Sequence, residues 1–246
     1  MNSRIPLFAL LLFALLAIHT SSFAQLTVVQ NYSAQQLGDN IAGSNISVIN
    51  ATVTGDSSQF GTFSFAGNQL GISSGVILSS GNVIDAVVGP NSSSSGASTG
   101  LSGAGDPDLS ALSGNTTNDA AILEFEFQVQ SAEVEFDFVF LSEEYNEYVN
   151  SQFNDVFAFY ISGPGIQTPE NLAVLPGTSI PITINTINNG ANSQYFVDNT
   201  SASVDIEFDG FTTPLKAIKG GLIPCETYTL SPVSYTHLTL PTSSWV

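Results

Sequence analysis

Short segments in which apolar and polar residues alternate recur along this chain, separated by turns rich in Gly, Asn and Ser. In residues 123–129 and 134–140 most alternate positions are apolar, and acidic side chains lie between them. Alternation with a period of two is typical of a strand with one buried and one solvated face, as in an antiparallel sheet. We predict that these two segments form a hairpin with its turn at residues 130–131.

Other segments complete an all-β pattern. Residues 156–161 are apolar on both faces, which predicts a strand in the interior of a sheet. Further strands are predicted at residues 26–29, 46–54, 60–65, 75–79, 180–187, 204–208 and 227–230. Many short strands and few helical patterns indicate an antiparallel β-sandwich, jelly-roll-like, with short helical turns in its loops. Residues 89–105 form a long Gly- and Ser-rich loop, which is either functional or disordered.

The N-terminal residues have the pattern of a secretory signal peptide. Arg4 precedes an apolar run at residues 5–18, and Ser22, Phe23 and Ala24 form a small-x-small cleavage site. The alternative is a membrane anchor, but the run is shorter than the roughly 20 residues that span a bilayer. We therefore predict that residues 1–24 are removed, that the mature chain has no membrane span, and that the protein is secreted or displayed at the cell surface.

The C-terminal residues have a different character. Residues 233–242 resemble the translation of a sequencing adaptor, so we predict that residues 231–246 are an artefactual tail without an ordered contribution after about Pro232. The alternative is a genuine polar tail. The predicted domain then covers residues 25–230, is incomplete at its C-terminus, and belongs to a fragment of a longer protein.

The chain is strongly acidic. It has a net charge of −18, from 21 Asp and Glu residues against 3 Lys and Arg residues. Binding to nucleic acid requires Lys and Arg to neutralise phosphates, so this class of partner is excluded. Acidity of this degree makes the compact state repel itself, and divalent cations would relieve that repulsion. The alternative is that the charge only keeps a secreted protein soluble. Cys225, the single cysteine, allows no disulfide within the chain and is predicted to be a small core residue.

The connection between two predicted strands is the main candidate site. It holds Glu143, Glu144, Asn154 and Asp155, which supply carboxylate and amide oxygens from two strand ends. Ca²⁺ prefers six to eight oxygen ligands of these kinds, so we predict a calcium site here. The alternative is structural: Ser142 caps a helical turn, and the two glutamates complement the helix dipole in its first turn.

Three aspartates are weaker metal candidates. Asp106 and Asp108 flank a proline, and the second of them has the position of a helix cap before a Leu-Ser-Ala-Leu sequence. Folding could also bring either of them to the same end of the molecule as Glu143. Asp198 follows a Tyr-Phe-Val segment and is the third candidate.

Several segments together form a recognisable set. They are residues 71–81 (GISSGVILSSG), 105–109 (GDPDL), 119–125 (DAAILEF), 138–148 (FVFLSEEYNEY), 153–159 (FNDVFAF), 175–178 (LPGT), 186–190 (TINNG), 208–213 (FDGFTT) and 224–228 (PCETY). In this order they resemble the choice-of-anchor L domain of secreted and surface bacterial proteins. The resemblance implies an exported module, with a later anchor or sorting element of variable type, and implies little about mechanism. Family domains continue past Tyr228 with further strands, where this chain departs from the pattern.

These observations lead to three functional hypotheses. The first is a non-catalytic extracellular or cell-surface module for adhesion or ligand binding, calcium-stabilised, whose partner is a glycan or a protein. The second is a glycan-active enzyme that uses Glu143 or Glu144 as paired carboxylates. The third is a purely structural spacer in a larger surface protein. The absence of Arg and of other catalytic partners from the predicted mature domain argues against the enzyme.

Overall fold

The structure, a computed structural model, describes residues 26–42, 46–85, 87–92, 100–151, 153–236 and 242–245. The predicted signal peptide with its cleavage site, and much of the Gly- and Ser-rich loop, lie outside these residues. None of the helices in the described residues has the length and apolar character needed to cross a membrane.

The described residues form thirteen strands and two α-helices. The strands are β1 (Leu26–Val29), β2 (Ser47–Thr54), β3 (Phe60–Phe65), β4 (Ser74–Ser79), β5 (Asn118–Gln128), β6 (Glu133–Ser142), β7 (Val156–Gly163), β8 (Ile166–Asn171), β9 (Phe196–Asp198), β10 (Gly210–Thr212), β11 (Leu215–Gly220), β12 (Thr227–Thr236) and β13 (Thr242–Trp245). The α-helices are α1 (Ala34–Ala42) and α2 (Pro107–Ser113). Single 3₁₀ turns lie at Ser57–Gln59 and Ser193–Tyr195.

The strands form an antiparallel β-sandwich, which confirms the predicted fold class. An eight-stranded sheet has the order β1-β3-β4-β13-β6-β10-β9, with β11 paired to the first half of β6. The facing five-stranded sheet has the order β2-β5-β12-β7-β8. The chain crosses between the sheets repeatedly, so residues distant in sequence meet in one core.

Phenylalanine side chains fill the space between the sheets. Phe136 and Phe138 of β6 stack against Phe159 and Phe157 of β7, with ring centroids 5.3 and 5.2 Å apart. Each Phe that is buried in this way contributes about 1.5–3 kcal/mol to stability. The acidic connection that follows β6 and precedes β7 therefore joins two strands that pack against each other in the core.

The predicted hairpin is wrong, although both of its strands exist. β5 pairs with β2 and β12 in one sheet, whereas β6 pairs with β10, β11 and β13 in the other. Both strands direct Phe side chains at the same core from opposite sides. Because alternation records only which face of a strand is buried, it is equally compatible with a hairpin and with two strands facing each other across a sandwich.

The interior position of β7 is confirmed. It lies between β12 and β8, with one face in the central core. Its other face is covered by α2, where Leu109 packs with Val156, Ala158 and Val233.

Two other predicted strands are not formed. Residues 180–187 and 204–208 contribute buried Ile, Val and Phe side chains, but only isolated bridges. In the second segment the side-chain amide of Asn199 takes the place of a strand partner. Its Nδ2 donates to the carbonyls of Val204, Ile206 and Phe208 at 3.2, 3.2 and 3.0 Å.

The residues near the C-terminus correct two further predictions. β12 continues through Val233 and Ser234 to Thr236 and pairs with both β5 and β7, so the expectation of no ordered contribution after about Pro232 is wrong for these residues. The strand lies between two long neighbours, whose backbone groups its extension satisfies. The artefactual origin of residues 231–246 stays a prediction. Cys225, predicted in the core, is exposed.

Candidate metal centre

The acidic connection begins at the end of β6, beside two short strands. Ser142 of β6 is in register with Gly210 of β10, which is in turn in register with Asp198 of β9. The residues after Ser142 form a series of turns, in which the backbone N–H of Tyr148 donates to the carbonyl of Glu144 at 3.1 Å. This bond has the i→i+4 spacing of a single helical turn, but residues 143–150 form turns and no α-helix, so the dipole of a helix does not explain the two glutamates.

Ser142 links the two ends of the connection. Its Oγ accepts a hydrogen bond from the backbone N–H of Glu144 at 2.9 Å and donates to Oδ2 of Asp155 at 2.7 Å. This serine thus fixes the second residue after β6 against the residue before β7. Ser142 was predicted to cap a helical turn, and in the structure its hydroxyl caps the turn that follows β6.

Three carboxyl groups of this connection are buried. Glu143 and Asp155 are 0% exposed and Glu144 is 3% exposed. Burial raises the pKa of Glu144 to about 9, and the negative charges of Asp155, Glu143 and Glu147 add to the effect. Glu144 therefore holds a proton at neutral pH unless a cation replaces it.

Cationic side chains of the described residues are engaged elsewhere. Lys216 binds Glu135 and, at 3.1 Å, Asp137, and Lys219 binds Glu170 at 2.6 Å. Burial of a charged carboxylate is costly without a compensating partner. In the described part of the chain, lysine does not supply that partner to the Glu144 region.

Tyr145 and Asn154 show how the rest of the connection is held. Tyr145 is 0% exposed, and its hydroxyl donates to the carbonyl of Ile187 at 2.9 Å. Asn154 is half-buried, and its Oδ1 accepts from the backbone N–H of Asn185 at 3.3 Å. Of the four predicted ligands, the structure therefore brings three carboxyl groups close together, whereas the Asn154 amide is bound to another segment.

A complete coordination sphere is not preformed at this centre. Within the ranges that the structure describes, no group of three or more Asp, Glu, His or Cys side chains is arranged to hold a metal ion. Binding of a cation would require Glu143, Glu144 or Asp155 to turn from the orientation seen here.

Asp106 and Asp108 belong to a different part of the molecule. Oδ1 of Asp106 accepts from the backbone N–H of Leu109 at 2.9 Å, so Asp106 caps α2, and the prediction of Asp108 as the cap is wrong. Asp108 lies in the first turn of α2, where its charge complements the helix dipole. Both residues border a cavity of about 220 Å³ together with Glu124 and Tyr160, and they do not join Glu144.

Asp198 belongs to a second acidic group at the same end as the connection. Burial by itself would raise its pKa, but hydrogen bonds from Thr200 and from Asn146 outweigh burial and lower the pKa. This group also includes Glu207 and Asp209, which are 6% and 2% exposed and which the sequence analysis did not select. Residues 204–208 alternate between apolar and acidic positions, so the pattern placed Glu207 on a solvated face and gave no sign of its burial.

An apolar cavity of about 390 Å³ lies away from both acidic groups. Residues of the segments 171–177 and 214–218 form its walls, together with Tyr195. Ile218, at its border, is 48% exposed. Cavities of this size and composition are typical ligand sites.

These features define a β-sandwich module with an acidic end and an apolar cavity. The model of the choice-of-anchor L domain family matches residues 25–233. The chain therefore belongs to the choice-of-anchor L domain family, as its motifs suggested, and is a surface-associated or secreted module. Searches of curated proteins and of solved structures gave no match.

Proposed function

We propose that this chain is a non-catalytic module that binds a glycan or protein ligand outside the cell, and that Ca²⁺ stabilises its fold at the acidic connection. The observation that supports the calcium role is the burial of Glu143, Glu144 and Asp155 next to one another in a chain of net charge −18. Carboxylates that are buried together repel one another until a proton or a cation neutralises them.

Calcium suits the groups at this centre. It accepts carboxylate, amide and backbone carbonyl oxygens in flexible geometry. Ser142 already holds Asp155 and Glu144 together through its hydroxyl, which reduces the rearrangement that a cation requires. Asn154 would join only if its amide oxygen left the backbone N–H of Asn185. Ca²⁺ would displace the proton of Glu144, so its affinity should rise with pH.

The same burial argues against catalysis by the paired carboxylates. A glycosidase needs two carboxyl groups on either side of a bound sugar. Glu143 and Glu144 are 0% and 3% exposed, and neither borders the cavities of about 390 and 220 Å³. We therefore propose that these residues contribute to the stability of the fold and not to catalysis.

The apolar cavity beside Tyr195 is the feature that supports ligand binding. Tyr195 and Pro214 provide flat apolar surfaces, and Asn171 adds an amide to the lining. Apolar walls with a few polar groups are the usual composition of a specific binding site.

A thermal melt with Ca²⁺, Mg²⁺ or chelator tests the calcium role. Ca²⁺ at a hundredfold excess over its dissociation constant should stabilise the wild-type protein by about 2.7 kcal/mol. Mg²⁺ should stabilise it less, because it gives up its waters reluctantly. Glu144→Gln and Asp155→Asn should lose the calcium response.

Glu124→Gln is the matched control, since Glu124 is an exposed glutamate on β5. It should keep the full calcium response. If all four proteins respond equally, and monovalent salt at higher concentration reproduces the effect, then Ca²⁺ acts only by screening charge and the proposal is wrong.

A further inference from the structure

Asp209 carries a buried carboxylate oxygen that the fold leaves unsatisfied. The residue is 2% exposed, and its Oδ1 accepts a hydrogen bond from Nδ2 of Asn91 at 2.7 Å. Its Oδ2 is shielded from solvent and has no hydrogen-bond partner among the residues that the structure describes. A buried acceptor without a partner loses the hydrogen bonds that water would give it, and the loss is greater when the group is charged, so a ligand for this oxygen is expected.

Asn146 presents a second oxygen of the same kind. Its Nδ2 donates to Oδ2 of Asp198 at 3.1 Å, and its Oδ1 is shielded from solvent without a hydrogen-bond partner in the described part of the chain. Asp198 is held in place because its Oδ1 accepts from the backbone N–H and the hydroxyl of Thr200, at 2.9 and 2.6 Å. The carboxylate of Asp198 is therefore both charged and fixed.

Gly210, the residue after Asp209, packs closely against the segment that carries Asn146. A Cβ atom added to Gly210 would lie 2.8 Å from Cδ2 of Tyr145 and 2.7 Å from Cε2 of Phe196. Tyr145 thus packs directly on β10, and Asn146, the next residue, is joined to β9 by its hydrogen bond to Asp198. Asp198 is the register partner of Gly210 on β9.

The electrostatic environment of Asp209 agrees with this placement. Burial raises the pKa of Asp209, the hydrogen bond from Asn91 lowers it, and the charges of Glu147, Asp198 and Glu207 raise it further. These acids are therefore near neighbours of Asp209. Glu147 is exposed and can turn toward the group.

We propose that Asp209, Asp198 and Asn146 form a second divalent-cation site at the β9–β10 end, distinct from the Glu144 centre. Two unsatisfied, shielded oxygens and one fixed carboxylate are hard oxygen donors, the class that Ca²⁺ takes. The site uses two carboxylates and one amide, which is consistent with the lack of any group of three carboxyl, histidine or cysteine ligands among the described residues. Glu147 supplies a further carboxylate when the cation binds.

Calorimetric titration with Ca²⁺ tests this site by the number of ions bound. We expect two ions in the wild-type protein and one in Asp209→Asn. Asp198→Asn should also bind one. This variant guards against misfolding, because Asp198 is exposed and its substitution leaves the core intact. Circular dichroism of each variant checks the fold.

Asp205→Asn is the matched control, because it removes the same charge from the same segment at a half-buried position. It should keep both ions. The inference is supported if Asp209→Asn and Asp198→Asn each lose an ion that Glu144→Gln retains. If the wild-type protein binds one ion only, and these two variants lose it while Glu144→Gln keeps it, the calcium site at Glu144 is refuted and the second site is supported. Equal numbers of ions in the wild-type protein, Asp209→Asn and Asp198→Asn overturn the inference, as does the loss of an ion in Asp205→Asn.

Discussion

Glu144→Gln should change how the stability of the protein depends on pH. In the native state burial raises the pKa of Glu144 to about 9, from an ordinary value of 4.5. The unfolded chain releases this proton near the ordinary value, so the native state binds more protons between the two values. Stability therefore falls as pH rises through that window, and the contribution is fully present only below the unfolded pKa.

The magnitude follows from this shift. Each pH unit in the window costs about 1.4 kcal/mol, so the penalty at pH 7 is up to about 3 kcal/mol relative to pH 4.5. Glutamine has nearly the same shape and stays neutral at every pH. In the presence of chelator, Glu144→Gln should match the wild-type protein near pH 5 and exceed its stability at pH 7 and 8.

Urea unfolding at pH 5, 6, 7 and 8 with chelator measures this difference. The free energy of unfolding of the wild-type protein should fall more steeply than that of Glu144→Gln. Glu124→Gln should parallel the wild-type protein, because Glu124 is exposed. A constant difference between the wild-type protein and Glu144→Gln from pH 5 to pH 8 would refute the reasoning, since it would mean that Glu144 titrates alike in both states.

Three further substitutions test the packing that positions the acidic groups. Asn199→Ala removes the amide that donates to three buried carbonyls and should cost about 1–3 kcal/mol in urea unfolding, whereas a loss near zero would contradict that role. Gly210→Ala places a Cβ 2.7 Å from Phe196 and should cost about 1–3 kcal/mol, which an unchanged melting temperature would contradict. Tyr145→Phe leaves the carbonyl of Ile187 without its donor and should lower the free energy of unfolding by about 1–3 kcal/mol, and an unchanged urea midpoint would show that water replaces the hydroxyl.

The sequence predicted most strands because alternation is a local property. The residues of each segment were enough to identify β1, β3, β4 and the interior strand β7. The partners of β5 and of β6 could not be identified in this way, because they lie far away in sequence. The segment at residues 204–208 had the alternating pattern of a strand, but a single side chain, Asn199, binds three of its carbonyls.

The candidate site could be predicted only in part, because the burial of its residues depends on contacts between segments that are distant in sequence. The concentration of acids near Glu143 was visible in the sequence, whereas their burial arises from the folded structure, in which Tyr145 packs on Gly210, a residue distant along the chain. Asp209 was missed because its burial and its hydrogen bond from Asn91 bring together segments that are distant along the chain. The sequence FDGFTT at residues 208–213 contained a signal, since it was among the family-like motifs, but nothing local showed that its aspartate is buried.

The most direct test of the calcium proposal is a crystal structure of the protein grown with Ca²⁺, with anomalous diffraction used to locate the ion. The account predicts an anomalous peak within about 2.3–2.6 Å of carboxylate oxygens of Glu143, Glu144 or Asp155, with the Ser142 hydroxyl still bound to Asp155. A structure at saturating Ca²⁺ that shows no peak at these residues, with their side chains oriented as they are here, would contradict it.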